Sequence, residues 1–420
     1  MLPATRQTEL SYSILKDKVE KKDIRALCSS VIYGPNASGK TNLIGAMEVF
    51  QSIISRGHIR NMSRPDSPNY ASNNLELIPN STLTENKPVR FAISFLEKKL
   101  IIQYSLTINL GLFCEKESSR FIQEEELTIN GKKVFTRDSN TLNIFNPSIE
   151  SRFIHWPLPE NSVSLAGRLQ QNLNSQELFL TGGFKSGISN ETAELVLHWI
   201  IYKFRIVYQA SLRQASPDFP DKQSGRFYVI DMTHEVAKTI GIGENEVGYI
   251  YSEEEKRMQL SSNIQNKITI IANAYESIGT IRMINLFPLL ADTLIHGGTL
   301  VIDEFDASIH PMALMSIINI FHNNDINKKH AQLIFNTHNP ILLNRNLFRR
   351  DEIKFIDRND KDHVSELYSL SDFGTTGKNG VRKNDDYMKN YFIDRYGAIR
   401  NIDFSPIFEK IMDETGNNYE

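Results

Sequence analysis

One short segment, residues 34–41, constrains this chain more than any other. Its sequence, GPNASGKT, fits the pattern G-x-x-x-x-G-K-[ST] at every position. A short apolar stretch typical of a buried strand precedes it at 27–33, and helical apolar spacing follows it at 42–54. Strand, glycine-punctuated turn and helix are the context in which backbone N–H groups and a helix N-terminus hold phosphate. A glycine turn that matches the pattern by chance is the less consistent alternative.

This loop predicts a set of nucleotide contacts. Lys40 would reach the β- and γ-phosphates, and Thr41 would place its hydroxyl on Mg²⁺. Backbone N–H groups along the turn would hold the remaining phosphate oxygens. The nucleotide-binding residues predicted in this segment are Gly34, Asn36, Ala37, Ser38, Gly39, Lys40, Thr41 and Asn42.

An apolar, strand-like run at 299–302 ends in two acids. Asp303 would hold Mg²⁺, directly or through water, and Glu304 would polarise the attacking water as a general base. Taken alone, such a run is equally consistent with a strand whose carboxylates are solvated. The pair follows the phosphate loop by more than half the chain, far more than in compact GTPases and AAA+ motors. No N-K-x-D guanine motif occurs, which favours ATP over GTP.

A third segment, YESIGTIR at 275–282, precedes an apolar helical run. Its Ser277, Gly279 and Thr280 would form a second anion-binding surface at the start of that helix. The alternative is an ordinary helix cap made by Ser277 or Thr280. Taken alone, the segment does not favour either interpretation.

A fourth segment, QLIFNTHNP at 332–340, is typical of a strand that ends at a histidine. His338 would hydrogen-bond the γ-phosphate and the attacking water. A lone histidine is more often a structural residue, but a position one strand after the acid pair favours the catalytic role. We therefore predict Glu304 and His338 as the catalytic residues.

These segments, in this order, resemble ABC-type ATPases of the SMC, RecF and OLD lineage. More narrowly, E-S-x-G-T-x-R at 276–282, D-E-x-D-x-x-x-H-P at 303–311 and the late segment 391–399 are similar to the bacterial RloA/AbiLi-type ATPases linked to abortive infection and anti-phage defence. The resemblance covers about 27–400 and is weak at 141–260. Relatives usually begin with a strand bearing an Asn-Phe-x-Ser-Phe-like segment, which is not found before Glu9. The glutamine loop of the family is not placed.

The resemblance implies ATP and Mg²⁺ as cofactors, with two ATP molecules sandwiched between two heads. Each head would give its phosphate loop to one ATP and its Ser277, Gly279 and Thr280 to the other. The implied assembly is a homodimer or a higher homo-oligomer. The implied fold is an α/β ABC-ATPase head with a P-loop mixed-sheet core, an antiparallel β lobe and a helical lobe.

Local patterns divide the chain into three parts. Alternating apolar residues at 89–96 and 100–109, and an Asn130-Gly131 turn, predict an antiparallel β lobe. Residues 58–88, polar and rich in Asn, Ser and Pro, are predicted as a surface loop. Helices are predicted near 161–174 and 190–204, no heptad run indicates a coiled coil, and an α/β pattern is expected again from Ile268. We expect the phosphate loop and β lobe in 1–140, a helical or mixed insertion lobe in 141–260, and the rest of the ATPase core with a C-terminal extension in 261–420.

The composition limits the partners and the cellular compartment that can be expected for this protein. The net charge is −3 and the pI about 6.4, so no global basic excess indicates nucleic-acid binding. Cys28 and Cys114 lack metal-ligand spacing, which fits a reducing compartment. The N-terminus has no apolar signal core, and no stretch approaches the ~20 apolar residues of a membrane span. A cytoplasmic protein without a membrane partner is expected.

Three functions fit these features. The first is an ATPase sensor or regulator of phage defence, acting on a separate effector such as a nuclease or toxin and triggered by DNA or a phage protein. The segment after His338 lacks the acidic set of a Toprim nuclease. The second is a DNA-repair or chromosome-associated ATPase that binds DNA through arginines 56, 60, 64, 345, 349 and 350, which are alternatively a solvated charged face. The third is the nucleotide-binding domain of a transporter, which the long insertion between the phosphate loop and the acid pair favours least.

Overall fold

The computed structural model describes the whole chain apart from residues 5–9, 62–67, 75–76, 83, 114, 116–119, 155, 157–161, 209–218, 220–222, 224, 243–244, 266, 376–379, 383, 401 and 417–420. Its strands are β1 (Ile14–Val19), β2 (Lys22–Leu27), β3 (Ser29–Tyr33), β4 (Val89–Glu97), β5 (Leu100–Asn109), β6 (Phe121–Ile129), β7 (Lys132–Asp138), β8 (Leu142–Ile144), β9 (Phe204–Val207), β10 (Phe227–Tyr228), β11 (Glu246–Ser252), β12 (Arg257–Ile264), β13 (Ile268–Ile271), β14 (Thr299–Ile302), β15 (Gln332–Asn336), β16 (Ile353–Arg358) and β17 (Ser365–Ser369). Its α-helices are α1 (Lys40–Arg56), α2 (Tyr70–Asn74), α3 (Ser162–Asn172), α4 (Lys185–Gly187), α5 (Asn190–His198), α6 (Asp231–Thr239), α7 (Ala272–Tyr275), α8 (Ile278–His296), α9 (Pro311–His322), α10 (Tyr387–Phe392) and α11 (Ser405–Gly416).

A six-stranded sheet forms the centre, in the order β17-β16-β3-β15-β14-β9. Neighbouring strands are parallel except β17, which is antiparallel to β16. β3 and β14 are buried along their whole length, as expected of parallel strands covered on both faces. The single strand β15 lies between them, so the strand before the phosphate loop and the strand before the acid pair end at the same edge. Ligands of open α/β sheets bind at this edge.

An antiparallel five-stranded sheet, β4 to β8 in sequence order, forms the β lobe. β6 and β7 pair up to Ile129 and Lys132, which leaves a two-residue turn. In that turn Asn130 and Gly131 have φ of 50° and 76°, the left-handed values that such a hairpin requires. The predicted strands at 89–96 and 100–109 and the Asn130-Gly131 turn are therefore confirmed.

Helices α3 and α5 pack on the β lobe and share one hydrophobic core with it. Trp199 stacks on Phe95 of β4 with ring centroids 4.1 Å apart. The predicted helix at 190–204 is confirmed as α5, but its last part is a π-helical turn, Trp199–Lys203, and Phe204 already begins β9. The predicted fold class, an α/β head with a P-loop mixed-sheet core, an antiparallel β lobe and a helical lobe, is confirmed.

The phosphate-loop helix is fastened to that π-helical turn by one side chain. Gln51 of α1 donates from Nε2 to the carbonyl oxygens of Ile200, at 2.8 Å, and Phe204. A π turn leaves carbonyls that the regular i→i−4 ladder does not use. Gln51 therefore ties α1 to the connection between α5 and the edge strand β9.

Two sequence predictions miss local structure. A second antiparallel sheet, in the order β10-β11-β12-β13, occupies the stretch before α7, and β13 belongs to it although an α/β pattern was expected from Ile268. The segment 58–88, expected as a surface loop, contains the short helix α2. The division at 140 and 260 stays a prediction, and the core-sheet strand β9 comes from within its middle part.

Helix α8 is long and apolar enough, by length and composition alone, to span a membrane. The expectation that no stretch approaches that length is therefore wrong for Ile278–His296. The sequence does not suggest such a span because polar residues interrupt the apolar run of this helix. In the fold, however, Arg282, Ile284 and Leu286 of α8 are buried inside the protein, as in a core helix.

Candidate nucleotide-binding site

The phosphate loop leaves β3 at Tyr33 and becomes α1 at Lys40. Gly39 has a φ of 105°, a value that favours glycine because it has no Cβ. A Cβ on Gly34 would collide with the carbonyl oxygen of Ile356 in the neighbouring strand β16. Both glycines of the motif thus have a steric reason, and the loop is packed directly against β16.

Lys40 points into the loop that it ends. Its Nζ donates to the carbonyl oxygens of Gly34 and Pro35, each at 2.8 Å. Desolvation by burial lowers the pKa of Lys40 to about 8, although the nearby acids Asp303 and Glu304 raise it. A buried ammonium with a lowered pKa contributes little to the stability of the fold. It suits phosphate binding, because a bound phosphate would favour the charged form of the lysine.

The Ser38 hydroxyl gives a second sign that the loop fits a phosphate. Its Oγ is buried and has no hydrogen-bond partner among the described residues. Buried hydroxyls are normally satisfied, so an unsatisfied one inside a glycine loop indicates a ligand position. The predicted residues Asn36, Ala37 and Asn42 complete the loop and the first turn of α1.

Asp303 lies beside Thr41, as the Mg²⁺ prediction requires. Thr41 Oγ1 is 3.2 Å from Asp303 Oδ1 and 3.4 Å from Oδ2. No group of three or more His, Cys, Asp or Glu side chains among the described residues would hold a metal by itself. Mg²⁺ is usually bound through one or two protein oxygens together with substrate phosphates and water, and Thr41 and Asp303 would supply the protein oxygens here.

Asn336, the last residue of β15, holds both acids and was not predicted from the sequence. Its Nδ2 donates to Asp303 Oδ1, and its Oδ1 accepts from the backbone N–H of Glu304. Glu304 sits in the left-handed region with a φ of 52°. The amide therefore ties the Asp303 carboxylate to the backbone of this strained turn. An asparagine at the end of a strand carries no motif, so the sequence gives no signal for this role.

His338 follows β15 at the same edge of the sheet. Burial and the Lys40 charge lower the pKa of His338, while Asp306, Glu304 and Asp303 raise it. These electrostatic neighbours put the imidazole in the same charged cluster as the lysine and the acids. Because the net pKa shift is downward, the imidazole is neutral at neutral pH and has both a donor and an acceptor nitrogen.

Ser277 caps helix α8. Its Oγ accepts from the backbone N–H of Thr280 at 3.1 Å and lies 2.9 Å from Thr280 Oγ1. The cap that was weighed as the alternative is thus present. The segment 275–282 nevertheless faces outward at its start, because Tyr275 and Ile278 are 50% and 51% exposed. A contact of Ser277, Gly279 and Thr280 with the nucleotide of a second copy stays a prediction.

Arg282 joins this segment to the acid turn, and sequence reasoning gave it no role of its own. The side chain is 1% exposed, and its guanidinium donates to the carbonyl oxygens of Glu304 and Ala307. The available signal was an arginine inside an apolar helical run, because a buried arginine must find acceptors. The Arg282 side chain thus connects the start of α8 rigidly to the turn after Asp303.

Four of the six arginines of the DNA-binding alternative have partners within the protein. Arg349 is 1% exposed and pairs with Asp351 at 2.8 Å. Arg56 donates to the carbonyls of Ser72 and Asn73, Arg60 pairs with Glu177 at 2.9 Å, and Arg350 donates to the carbonyl of Val381. Arg345 is exposed, and Arg64 lies outside the described residues. These contacts account for four of the arginines without nucleic acid.

Two solved structures give a measure of likeness. The SMC head domain from Thermotoga maritima aligns with 85% of this chain and 96% of its own, at 15% identity and a TM-score of 0.37. The Smc head domain derived from Pyrococcus furiosus, with an extended coiled coil and bound to the C-terminal domain of ScpA, aligns with 86% and 96%, at 13% identity and a TM-score of 0.36. At these TM-scores neither likeness carries an argument about this chain. No curated protein matches the sequence.

A family match is more extensive. Residues 29–344, about three quarters of the chain, match the family described as "AAA domain, putative AbiEii toxin, Type IV TA system". The matched range includes the phosphate loop, the segment at 275–282, the acid pair and His338. The chain therefore belongs to this family of AAA-domain ATPases.

Proposed function

We propose that this chain binds and hydrolyses ATP. One observation carries the proposal: Lys40, Thr41, Asp303, Glu304 and His338 come from three strands of the central sheet and meet at one edge. They supply a phosphate-binding ammonium, two oxygens for a metal, a carboxylate base and an imidazole. That set is what phosphoryl transfer to water needs.

Each residue then has a distinct task. Lys40, the Ser38 hydroxyl and the loop N–H groups hold the phosphates, and Thr41 and Asp303 hold Mg²⁺. When bound, Mg²⁺ neutralises charge on the β- and γ-phosphate oxygens. Glu304 orients the attacking water and accepts its proton, and Asn336 holds the backbone N–H of Glu304. His338 hydrogen-bonds the γ-phosphate.

The active assembly is a homodimer or higher homo-oligomer, with each ATP between two copies. Ser277, Gly279 and Thr280 of one copy would contact the nucleotide held by Lys40 of the other. The exposure of Tyr275 and Ile278 supports this arrangement, because apolar side chains around an outward-facing helix N-terminus gain from being covered. The buried Arg282 would transmit that contact to Glu304 of the same copy.

We infer a biological role as a cytoplasmic sensor or regulator in bacterial anti-phage defence, which controls a separate nuclease or toxin. The family description, with its AbiEii toxin and type IV toxin–antitoxin system, supports this role, and so does the resemblance of 276–282 and 303–311 to RloA/AbiLi-type ATPases. The trigger would be DNA or a phage protein. Direct DNA binding, as in repair ATPases, is the less supported alternative because Arg349 and Arg56 serve the fold.

The test compares phage protection by cells that carry the wild-type operon, Lys40→Ala and a control, Lys328→Ala, which removes an exposed lysine far from the loop. Protection should need Lys40 and not Lys328. Tagged Glu304→Gln protein, recovered with ATP and Mg²⁺ before and after infection, should carry an effector that infection releases. Full protection by Lys40→Ala would refute the defence role, and recovery of DNA-repair factors regardless of phage would favour the alternative.

A further inference from the structure

The wall of the phosphate loop on the side away from the acids is the hairpin β16–β17. β16 pairs with β3 from Ile353↔Val31 to Phe355↔Tyr33 and then continues for three more residues. Ile356 and the residues after it therefore run alongside the loop itself. The near-collision of the Ile356 carbonyl with Gly34 shows how closely they pack.

The second strand of the hairpin touches the loop as well. Ser365 Oγ donates to the carbonyl oxygen of Ser38 at 2.8 Å. A Cβ on Gly39 would stand 2.9 Å from the same hydroxyl. The Ser365 side chain therefore lies on the face of the hairpin that contacts the phosphate loop.

Arg358 lies on that face. It is the direct cross-strand partner of Ser365, and directly opposed residues of an antiparallel pair project to the same side. It also lies two residues after Ile356, whose side chain contacts the positions of Gly34 and Gly39. The arginine thus stands beside the loop, at the end where the strands of the sheet finish.

The Arg358 side chain is half-buried and lacks a partner among the described residues. Its Nε is buried without a hydrogen bond, and no acid in the described part of the chain forms an ion pair with it. Acids are present on the same hairpin, at Asp360 and Asp362, but Asp360 pairs with Arg400 at 2.6 Å. A buried guanidinium edge left without an acceptor is costly, and an acceptor on a bound ligand would remove that cost.

The hairpin is held rigidly enough to position a ligand contact. Thr82 Oγ1 donates to the carbonyl oxygen of Asp362 at 2.9 Å, Arg400 holds Asp360, and Ser365 holds the loop. These contacts anchor the turn and β17, and pairing with β3 anchors β16. A side chain supported in this way loses little freedom when it binds.

The two sides of the loop face different ends of a nucleotide. Asp303, Glu304 and His338 follow β14 and β15, on one side of β3, and fix the γ-phosphate end. β16 lies on the other side of β3. A triphosphate that wraps around the loop from the acids must therefore carry its sugar and base toward β16.

We propose that Arg358 holds the nucleoside end of the bound nucleotide: its guanidinium plane lies against the base, and the buried Nε–H at its edge donates to an acceptor of the sugar or base. This inference rests on the proposed ATP site and adds the residue that contacts the nucleoside rather than the phosphates. Planar guanidinium groups stack on aromatic faces and lysine does so poorly, which gives the contact a chemical signature.

The experiment measures the affinity of the full chain for Mg²⁺-ADP and for Mg²⁺-tripolyphosphate, which has the phosphates but no nucleoside. Four proteins are compared: wild type, Arg358→Ala, Arg358→Lys and the control Lys361→Ala, which removes an exposed charge from the same hairpin turn. Arg358→Ala should weaken ADP binding about tenfold, equal to about 1.4 kcal/mol, and leave tripolyphosphate binding unchanged. Arg358→Lys should recover only a small part, and Lys361→Ala should match wild type.

The outcomes separate this inference from the proposed function. Wild-type binding of ADP together with an unchanged Arg358→Ala affinity would overturn the nucleoside contact alone. Equal losses for ADP and tripolyphosphate would also overturn it, because they would indicate a phosphate contact or a distorted loop. A wild-type chain that binds neither probe would refute the ATP site itself, and the inference with it.

Discussion

Gly279 packs so tightly against Ser308 that a Cβ on Gly279 would collide with the Ser308 carbonyl oxygen. The contact joins the first turn of α8 to the turn that follows the acid pair. Ser308 has a φ of 63°, so its backbone has little freedom to move away. Glycine at 279 is therefore required by the packing of this chain, apart from any contact with a second copy.

Gly279→Ala should displace α8 from the acid turn. We expect ATP hydrolysis to fall at least tenfold and the free energy of unfolding to fall by about 1–3 kcal/mol, the usual range for overpacking. Gly167→Ala is the control, because a Cβ at that exposed helical position meets nothing within 4 Å. It should be neutral or stabilising by up to about 1 kcal/mol. Urea unfolding and phosphate release measure both, and a Gly279→Ala protein with wild-type values would contradict the packing argument.

Arg282→Met should remove the link between α8 and the acid turn while keeping most of the side chain's volume. The carbonyl oxygens of Glu304 and Ala307 would lose their buried donor, so the protein should be destabilised by about 2–5 kcal/mol. Hydrolysis should be lost, but ADP binding at the phosphate loop should persist in protein that stays folded. Arg60→Ala removes an exposed arginine that pairs with Glu177, and should cost less than about 1 kcal/mol. Similar losses from both variants would refute the role of Arg282.

Nucleotide affinity should fall as the pH rises through about 8. In the free protein, burial lowers the pKa of Lys40 to about 8. A phosphate binds the protonated form, so binding above that pH must first restore the proton. The affinity for ADP should therefore drop by up to about tenfold per pH unit between pH 8 and 9.5. Lys40→Arg stays charged throughout this range, and its weaker affinity should not change with pH. A wild-type affinity that is flat over the same range would contradict the lowered pKa.

Glu304→Gln should separate binding from hydrolysis. The amide keeps the size of the carboxylate but cannot accept a proton, so hydrolysis should fall about 10²–10⁴-fold while ATP still binds. If the copies pair around ATP, the variant should form a dimer in ATP and Mg²⁺ but not in ADP, visible by light scattering after gel filtration. Glu253→Gln, at an exposed turn position, is the matched control. Equal hydrolysis by Glu304→Gln and wild type would exclude Glu304 as the base.

Sequence reasoning reached the parts of the site that have fixed spacing. The phosphate loop, the acids after β14 and the histidine after β15 are signalled by local patterns, and the sheet brings Thr41 to Asp303 as expected. Asn336 could not be found in this way, because its role depends on a carboxylate in the neighbouring strand. Arg349 was misjudged as a surface charge, since only the fold reveals that Asp351 neutralises it.

The edge strand β9 was missed for a related reason. The helix predicted at 190–204 includes only Phe204 of this strand, and no glycine or proline separates α5 from β9 to indicate where the helix ends. Tertiary pairing with β14 decides the outcome instead. A π-helical turn, capped from α1 by Gln51, is the means by which the chain changes from helix to strand.

The origin of β9 limits how this ATPase can be shortened. A minimal version made by excising the middle of the chain would lose the strand that covers β14, and the N–H of Asp303 would lose its acceptor, the carbonyl oxygen of Val207, at 2.9 Å. The exposed edge of β14 would then be open to pairing with other chains. Deletions that spare residues 199–208 would keep that edge of β14 paired. A shortened protein must therefore retain this stretch as part of the ATPase core, although it lies within the middle part of the sequence.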